Sequence, residues 1–155
     1  MSAAVSNRTH ILSQGEVESI VWWVLDDLDL NLDCVGVRIY QMSRLMHSGC
    51  FYGNAHERRP RVLARAGGFP SAVRHVIEVR VPFVPIGPNH RALTHGPPPY
   101  WPHTWQECLA CITAHEAHHL HEWLYPHVDH PHFSELSAEW TEYETWKRWT
   151  ERRTT

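Results

Sequence analysis

The feature that most constrains this chain is a long helix that carries three histidines and a glutamate within five residues. Thr104-Trp-Gln-Glu107 has the spacing of a capping box, in which two side chains satisfy free N–H groups at a helix start. Pro126 ends the pattern, because proline disfavours helix at the residue before it. The sequence therefore predicts a helix over about 105–125, with His115-Glu116-Ala117-His118-His119 well inside it.

The two outer histidines of this H-E-x-x-H segment can bind one metal ion. Residues four apart on an α-helix differ by about 40° around its axis, so His115 and His119 project from one face. From the neighbouring position, the carboxylate of Glu116 can accept a proton from a zinc-bound water. A histidine-rich helix without metal is the alternative, because 14 of the 155 residues are histidine.

A catalytic zinc site needs a third protein ligand, because it has three of them and one position open to water. The end of the chain predicts a last helix over about 134–152. Glu135 lies 16 residues after His119 and Glu139 lies 20 after it, and the two glutamates share one face of that helix. Either carboxylate is therefore within reach of the two histidines if the helices pack antiparallel.

The remainder of the chain predicts an N-terminal helix and a small sheet. Ser13-Gln-Gly-Glu16 is a second capping box, and apolar residues recur after it at helical spacing as far as Leu32. Alternating apolar residues predict a first strand with one covered face. The apolar runs that follow it predict further strands. The strands are predicted over 34–42, 50–52, 61–66 and 73–84, with the middle two paired as a hairpin. Prolines over 85–102 predict an irregular loop.

Composition restricts the partners of such a protein. The net charge is −3 without a block of like charges, so nucleic acid is not an expected partner. No apolar run is long enough for a membrane span, and the first residues lack the pattern of a signal peptide. We therefore expect a cytoplasmic protein whose four cysteines are reduced. The length predicts one domain, 1–155, and nothing in the sequence predicts the oligomeric state.

H-E-x-x-H followed by a helical glutamate resembles the gluzincin branch of the zincin metallopeptidases, including small zincin-like proteins of phages and bacteria. The resemblance covers about residues 100–140 and the order of the elements before them. It implies an α+β, minimal zincin-like domain with an N-terminal helix, a twisted sheet of three or four strands, an H-E-x-x-H helix and a C-terminal helix that bears the glutamate. It also implies one Zn²⁺ per chain and a peptide or protein substrate.

The resemblance offers two choices for the third ligand. Glu135-Leu-Ser-Ala138-Glu139 is similar to the gluzincin E-x-x-x-D pattern with Glu in place of Asp, which implies that Glu135 binds zinc and Glu139 supports a ligand histidine. Thermolysin-like spacing implies Glu139 as the ligand, with Tyr143 where an acid is expected. We favour Glu135. Tyr143 is a candidate for stabilising the oxyanion, or else an aromatic residue buried between helices.

Two further groups of residues offer other metal ligands. Asp129-His130-Pro-His132-Phe133 loosely resembles the histidine that ends the site of Spartan-like proteases, although the glycines of that family are absent. In the alternative interpretation, these histidines and His127 lie on a surface loop, or one of them stabilises the oxyanion. Cys108-x-x-Cys111 is compatible with a structural zinc site, but core packing is favoured because no second C-x-x-C is present.

The expected function is zinc-dependent peptide hydrolysis, with the zinc-bound water activated by Glu116. The substrate is expected to add as a strand along a sheet edge, for which 73–84 is one candidate. The alternative is a non-enzymatic zinc-binding adaptor whose metal site is closed by a fourth ligand, either a loop histidine or Cys111. A hydrolase of non-peptide amides is a third possibility.

Overall fold

The computed structural model describes residues 2–10, 12–41, 48–81, 96–126 and 135–154. They form an α+β protein with one four-stranded mixed sheet. The elements in chain order are β1 (Ala4–Arg8), α1 (Gln14–Leu25), β2 (Val35–Gln41), β3 (Ser48–Tyr52), α2 (Ala55–Arg58), α3 (Pro60–Ala64), β4 (His75–Val81), α4 (Trp105–Leu124) and α5 (Glu135–Thr154). Short 3₁₀ turns cover Leu32–Cys34 and Arg65–Gly67.

The strand order in the sheet is β1-β2-β4-β3. Strands β1, β2 and β4 are parallel, whereas β3 is antiparallel to β4, with Phe51 opposite Ile77. The prediction that 73–84 offers an edge is wrong for β4, because this strand pairs on both sides. Among the described strands, β3 and β1 are the two edges.

The strand predictions have mixed outcomes. The structure confirms the strands predicted over 34–42 and 73–84, the latter as far as it is described, and it lengthens the one over 50–52. The strand predicted over 61–66, and with it the hairpin, is wrong. Pro60 starts a helix there, because its fixed φ suits the first turn and its missing N–H costs nothing at that position. Strand β1 was not predicted.

Both faces of the sheet are covered, and the prediction of one covered face for β2 is therefore wrong. Val37 and Ile39 belong to the main core, which α1 and α4 complete. On the opposite face, Arg38 is fully buried and donates to the carbonyl of Val62 in α3. A salt bridge to the equally buried Glu78 compensates its charge.

The three long helices begin close to the predicted positions, and α4 and α5 also end close to them. The Ser13–Glu16 capping box is present in full, but α1 ends at Leu25 rather than extending to Leu32. Thr104 caps α4 through the backbone N–H of Glu107, whereas the Glu107 carboxylate accepts from His103. Helix α5 is described from Glu135 and extends to Thr154, two residues beyond its predicted end, while residue 134, its predicted start, lies outside the described residues.

The irregular segment predicted over 85–102 is described only from Gly96 onward, where it has no helix or strand. Helix α4 follows it directly and is the central helix of the structure, because it packs on α1, α5, β3 and β4. None of the helices in the described ranges combines the length and the apolar character that a membrane crossing requires.

Candidate metal centre

Two helices bring three possible metal ligands together. His115 and His119 lie one turn apart on α4, and their Nε2 atoms are 3.2 Å from each other. Glu135, the first residue of α5, places Oε1 2.9 Å from His119 Nε2 and Oε2 3.4 Å from His115 Nε2. We call His115, His119 and Glu135 the ligand triad. Within the described part of the chain it is the only group of three or more His, Cys, Asp or Glu residues with this spacing.

The spacing of the ligand triad suits a tetrahedral metal. Ligands that are 2.0–2.1 Å from a tetrahedral zinc ion lie about 3.3 Å from one another. The two Nε2 atoms are 3.2 Å apart, and each has one oxygen of the Glu135 carboxylate within 3.4 Å. Two imidazole nitrogens and one carboxylate oxygen are also a donor set that zinc accepts. The side chain of Glu135 is 67% exposed, whereas His119 is buried. The donor set of these three residues therefore fits a zinc ion.

A buried carboxylate fixes the orientation of the first histidine. Glu142 is 5% exposed, and its Oε2 lies 3.0 Å from His115 Nδ1. When Nδ1–H donates to this carboxylate, the neutral ring presents the lone pair of Nε2 to the triad. This role of Glu142 was not predicted from the sequence. Glu142 lies seven residues after Glu135, and this spacing, which places both carboxylates on one face of α5, is the pattern that indicates the role.

Glu116 lies between the triad and the edge strand. It is 8% exposed, and its side chain packs against the backbone of Gly49 in β3. Two residues further along β3, the ring of Phe51 stacks on His119 with centroids 6.1 Å apart. The edge strand and the H-E-x-x-H helix are therefore in direct contact at the triad.

The middle histidine of the motif is held outside the triad. His118 Nε2 lies 2.8 Å from Glu122 Oε1, one turn further along α4. Its Nδ1 lies 3.0 Å from the Thr141 hydroxyl on α5. Both ring nitrogens thus have protein partners, and His118 serves to connect the two helices.

The charges of the site shift the pKa values of its groups in the metal-free protein. Burial disfavours the charged form of His115, but the hydrogen bond and charge of Glu142, with Glu116 and Glu135, outweigh it and raise the pKa to about 9. Burial raises the pKa of Glu116 to about 7, although the positive charge of His115 opposes this shift. Burial and the charge of His115 lower the pKa of His119.

The other predicted site residues on α5 lie outside the triad. Glu139 is half-buried one turn after Glu135, and it is not one of the three grouped ligands. The ring of Tyr143 lies among Tyr100, Trp140 and Trp146, with centroid distances of 5.4 to 6.2 Å. It therefore contributes to an aromatic cluster formed by α5 and Tyr100, which precedes α4.

The alternative metal ligands suggested by the sequence either lie outside the ligand triad or fall outside the described residues. Cys108 and Cys111 are free thiols buried in α4, in agreement with the favoured role in core packing. Burial raises the pKa of Cys111, which keeps its thiol protonated and opposes metal binding. His127, His130 and His132 lie outside the described residues.

Known proteins provide no comparison for this site. The chain matches no protein-family model, no curated protein sequence and no solved structure. The interpretation of the ligand triad therefore depends on its own residues and their geometry.

Proposed function

We propose that this protein is a zinc-dependent metallopeptidase of the gluzincin type. In this proposal His115, His119 and Glu135 are the zinc ligands, and Glu116 is the general base. The observation that carries the proposal is the spacing of donors on two packed helices, where the two Nε2 atoms lie 3.2 Å apart and each lies 2.9 to 3.4 Å from an oxygen of the Glu135 carboxylate. A histidine-rich helix alone does not account for this spacing, because the third donor comes from α5.

Each residue of the site has a separate task in this proposal. A zinc ion with three protein ligands supplies Lewis acidity and lowers the pKa of a water molecule to about 7. Glu142 holds the His115 ring by accepting its Nδ1–H, at 3.0 Å. Glu116 accepts the proton of the attacking water and later transfers it to the leaving amine, as a general base and acid does.

The edge strand β3 supports a peptide as the substrate. Among the described strands, β3 pairs only with β4 and lies at an edge of the sheet, the position at which a peptide strand can be added. Gly49 and Phe51 of the same strand lie against Glu116 and His119. A peptide bound along β3 therefore passes beside the ligand triad with its carbonyl groups in reach.

The test combines metal content with turnover. Protein purified without a histidine tag or added metal should contain one zinc per chain by elemental mass spectrometry, and it should cleave members of a quenched-fluorescence peptide library. Glu116→Gln should keep its zinc and lose at least about 100-fold in rate. Glu144→Gln, an exposed glutamate on α5, is the matched control and should change neither quantity.

Three results would contradict the proposal or redirect it. A protein that binds no zinc even after zinc is added has no metal centre, and the peptidase proposal is then wrong. Unchanged turnover in Glu116→Gln excludes Glu116 as the base. One zinc per chain without cleavage of any peptide would favour the non-enzymatic adaptor, in which a fourth protein ligand closes the site, or a hydrolase of non-peptide amides.

A further inference from the structure

A cavity of about 640 Å³ opens beside the ligand triad at the end of β3. Its lining consists of Phe51, Tyr52, Gly53, Arg58, Arg59 and Trp123, and we call it the β3 cavity. Phe51 connects it to the triad, because its ring also stacks on His119. The ring of Phe51 therefore lies between His119 and the cavity, which extends to Trp123 near the C-terminal end of α4. Its volume is in the range of sites that bind small ligands or side chains.

The indole of Trp123 forms a fixed wall of the β3 cavity. A Cβ added at Gly53 would lie 2.8 Å from Trp123 Cδ2, so only glycine lets the indole pack on the backbone of the chain there. His75 of β4 contacts the same indole in a T-shaped arrangement, with centroids 6.4 Å apart. The ring is thus held from two sides.

Two arginines give the cavity a positive charge. The guanidinium carbon of Arg58 lies 6.0 Å from the ring centre of Trp123, and Arg59 follows it directly in the chain. Both side chains are exposed, and within the described ranges neither forms a salt bridge. The nearby Arg65 differs, because it pairs with Glu78 at 3.2 Å. Arg58 and Arg59 are therefore cations available to a ligand.

We propose that the β3 cavity binds a carboxylate of the substrate peptide, from an Asp or Glu side chain or from the C terminus. This inference rests on the proposed peptidase function and adds a substrate class to it. A guanidinium binds a carboxylate through two parallel hydrogen bonds, which a neutral amide cannot replace. The aromatic walls pack against the methylene groups of the same residue.

The position of the cavity sets the distance between the carboxylate and the cleaved bond. Trp123 follows His119 by four residues, which is about 6 Å along a helix. Successive residues of an extended peptide are about 3.3 Å apart. The acidic residue should therefore lie about two residues from the bond that is cleaved.

The experiment measures binding separately from turnover. The zinc-loaded Glu116→Gln variant is titrated against fluorescein-labelled octapeptides in which each position in turn is Glu, Gln or Lys. Every peptide is made with a free and with an amidated C terminus, which distinguishes the two sources of the carboxylate. We expect Glu to bind about tenfold more tightly than Gln at one position, or the free acid about tenfold more tightly than the amide. High salt should reduce this difference, because both arginines are exposed.

Charge reversal separates specific recognition from a structural effect. Arg58→Glu combined with Arg59→Glu should abolish the preference for the carboxylate and favour Lys at the same position. Arg61→Glu is the matched control, because Arg61 is also exposed but does not line the cavity. Equal binding of Glu and Gln in peptides with both C termini would overturn the inference, as would no binding of any peptide. The same loss in Arg61→Glu would also overturn it.

Cleavage of the same library by the wild-type protein distinguishes this inference from the proposed function. Cleavage without a preference for a carboxylate would overturn the inference and leave the peptidase proposal intact. Carboxylate-dependent binding without cleavage of any peptide by the wild type would support the cavity and overturn the peptidase proposal. Cleavage about two residues from a required carboxylate would support both.

Discussion

Gly49 of β3 and Glu116 of α4 lie so close together that no side chain fits between them. A Cβ at position 49 would be 2.6 Å from Glu116 Oε1 and 2.8 Å from its Cδ, distances that real Cβ atoms do not show. The strand and the carboxylate are therefore packed in direct contact. The carboxylate of Glu116, the proposed general base, fits at this position because residue 49 of the strand opposite it has no side chain.

Gly49→Ala should displace the Glu116 carboxylate while the ligand triad stays in place. We expect zinc content to remain at one per chain and peptide hydrolysis to fall about 100-fold, because a misplaced catalytic group loses its alignment. The free energy of unfolding should also fall by about 1–3 kcal/mol through overpacking. Gly15→Ala is the control, because no atom lies within 4 Å of a Cβ added there. Full activity in Gly49→Ala would show that Glu116 does not need its present position.

Glu142→Gln should weaken zinc binding without removing a ligand. The amide no longer offers a charged acceptor to His115 Nδ1, and the loss of such a supporting carboxylate lowers metal affinity about 10–100-fold. Competition with a chromophoric chelator measures this affinity. Glu144→Gln changes an exposed glutamate of the same helix and should have no effect. Equal zinc affinity in the two variants would contradict the supporting role of Glu142.

The third zinc ligand can be identified by comparing two glutamates. Glu135→Gln should lower zinc affinity by more than about 100-fold, because the variant loses a ligand and not only a supporting group. Glu139→Gln should have a smaller effect, since Glu139 is not in the ligand triad. Competition with a chromophoric chelator measures the zinc affinity of both variants. A larger loss in Glu139→Gln would assign the ligand to that residue.

The buried pair Arg38–Glu78 should dominate stability away from the site. Both side chains are 0% exposed, and Arg38 Nη1 lies 3.2 Å from Glu78 Oε2. Arg38→Met should lower the free energy of unfolding in urea by about 3 kcal/mol, because it leaves a buried carboxylate with only the half-exposed Arg65 as a partner. Adding Glu78→Leu should recover part of this loss. An additive loss in the double variant would contradict the coupling.

His75 should make stability decrease in acid. Burial, with the positive charges of His56 and Arg74, lowers the pKa of His75 below its usual 6.5, and its Nδ1 accepts the N–H of Asn54. The unfolded chain therefore binds the proton more readily, so this contribution is complete above pH 6.5 and decreases as the pH falls below it.

Unfolding in urea at pH 7.5 and pH 5.5 tests the effect of His75. His75→Gln should lose less stability between the two pH values than the wild type does, because the amide does not titrate. His10→Gln, which changes an exposed histidine, should behave like the wild type. An identical decrease in His75→Gln and in the wild type would exclude this contribution.

The sequence was sufficient for features that depend on residues close together in the chain. The starts of α1 and α4 were predicted from capping segments of four residues each, and the end of α4 was predicted from Pro126. The projection of His115 and His119 from one face follows from the geometry of a single helix. Spacing alone left Glu135 and Glu139 as alternatives for the third ligand, and it is Glu135 that the packing of α5 on α4 groups with the two histidines.

Tertiary structure decided the features that depend on distant segments. The sequence could not show that β1 pairs with β2 across α1, that β4 lies inside the sheet, or that β3 is the strand beside Glu116. It also did not show that Glu142 supports His115. Caps and helix faces are set by hydrogen bonds and geometry within a few residues. Strand order and the contacts between α4 and α5 depend on how separate segments pack, and no local pattern encodes them.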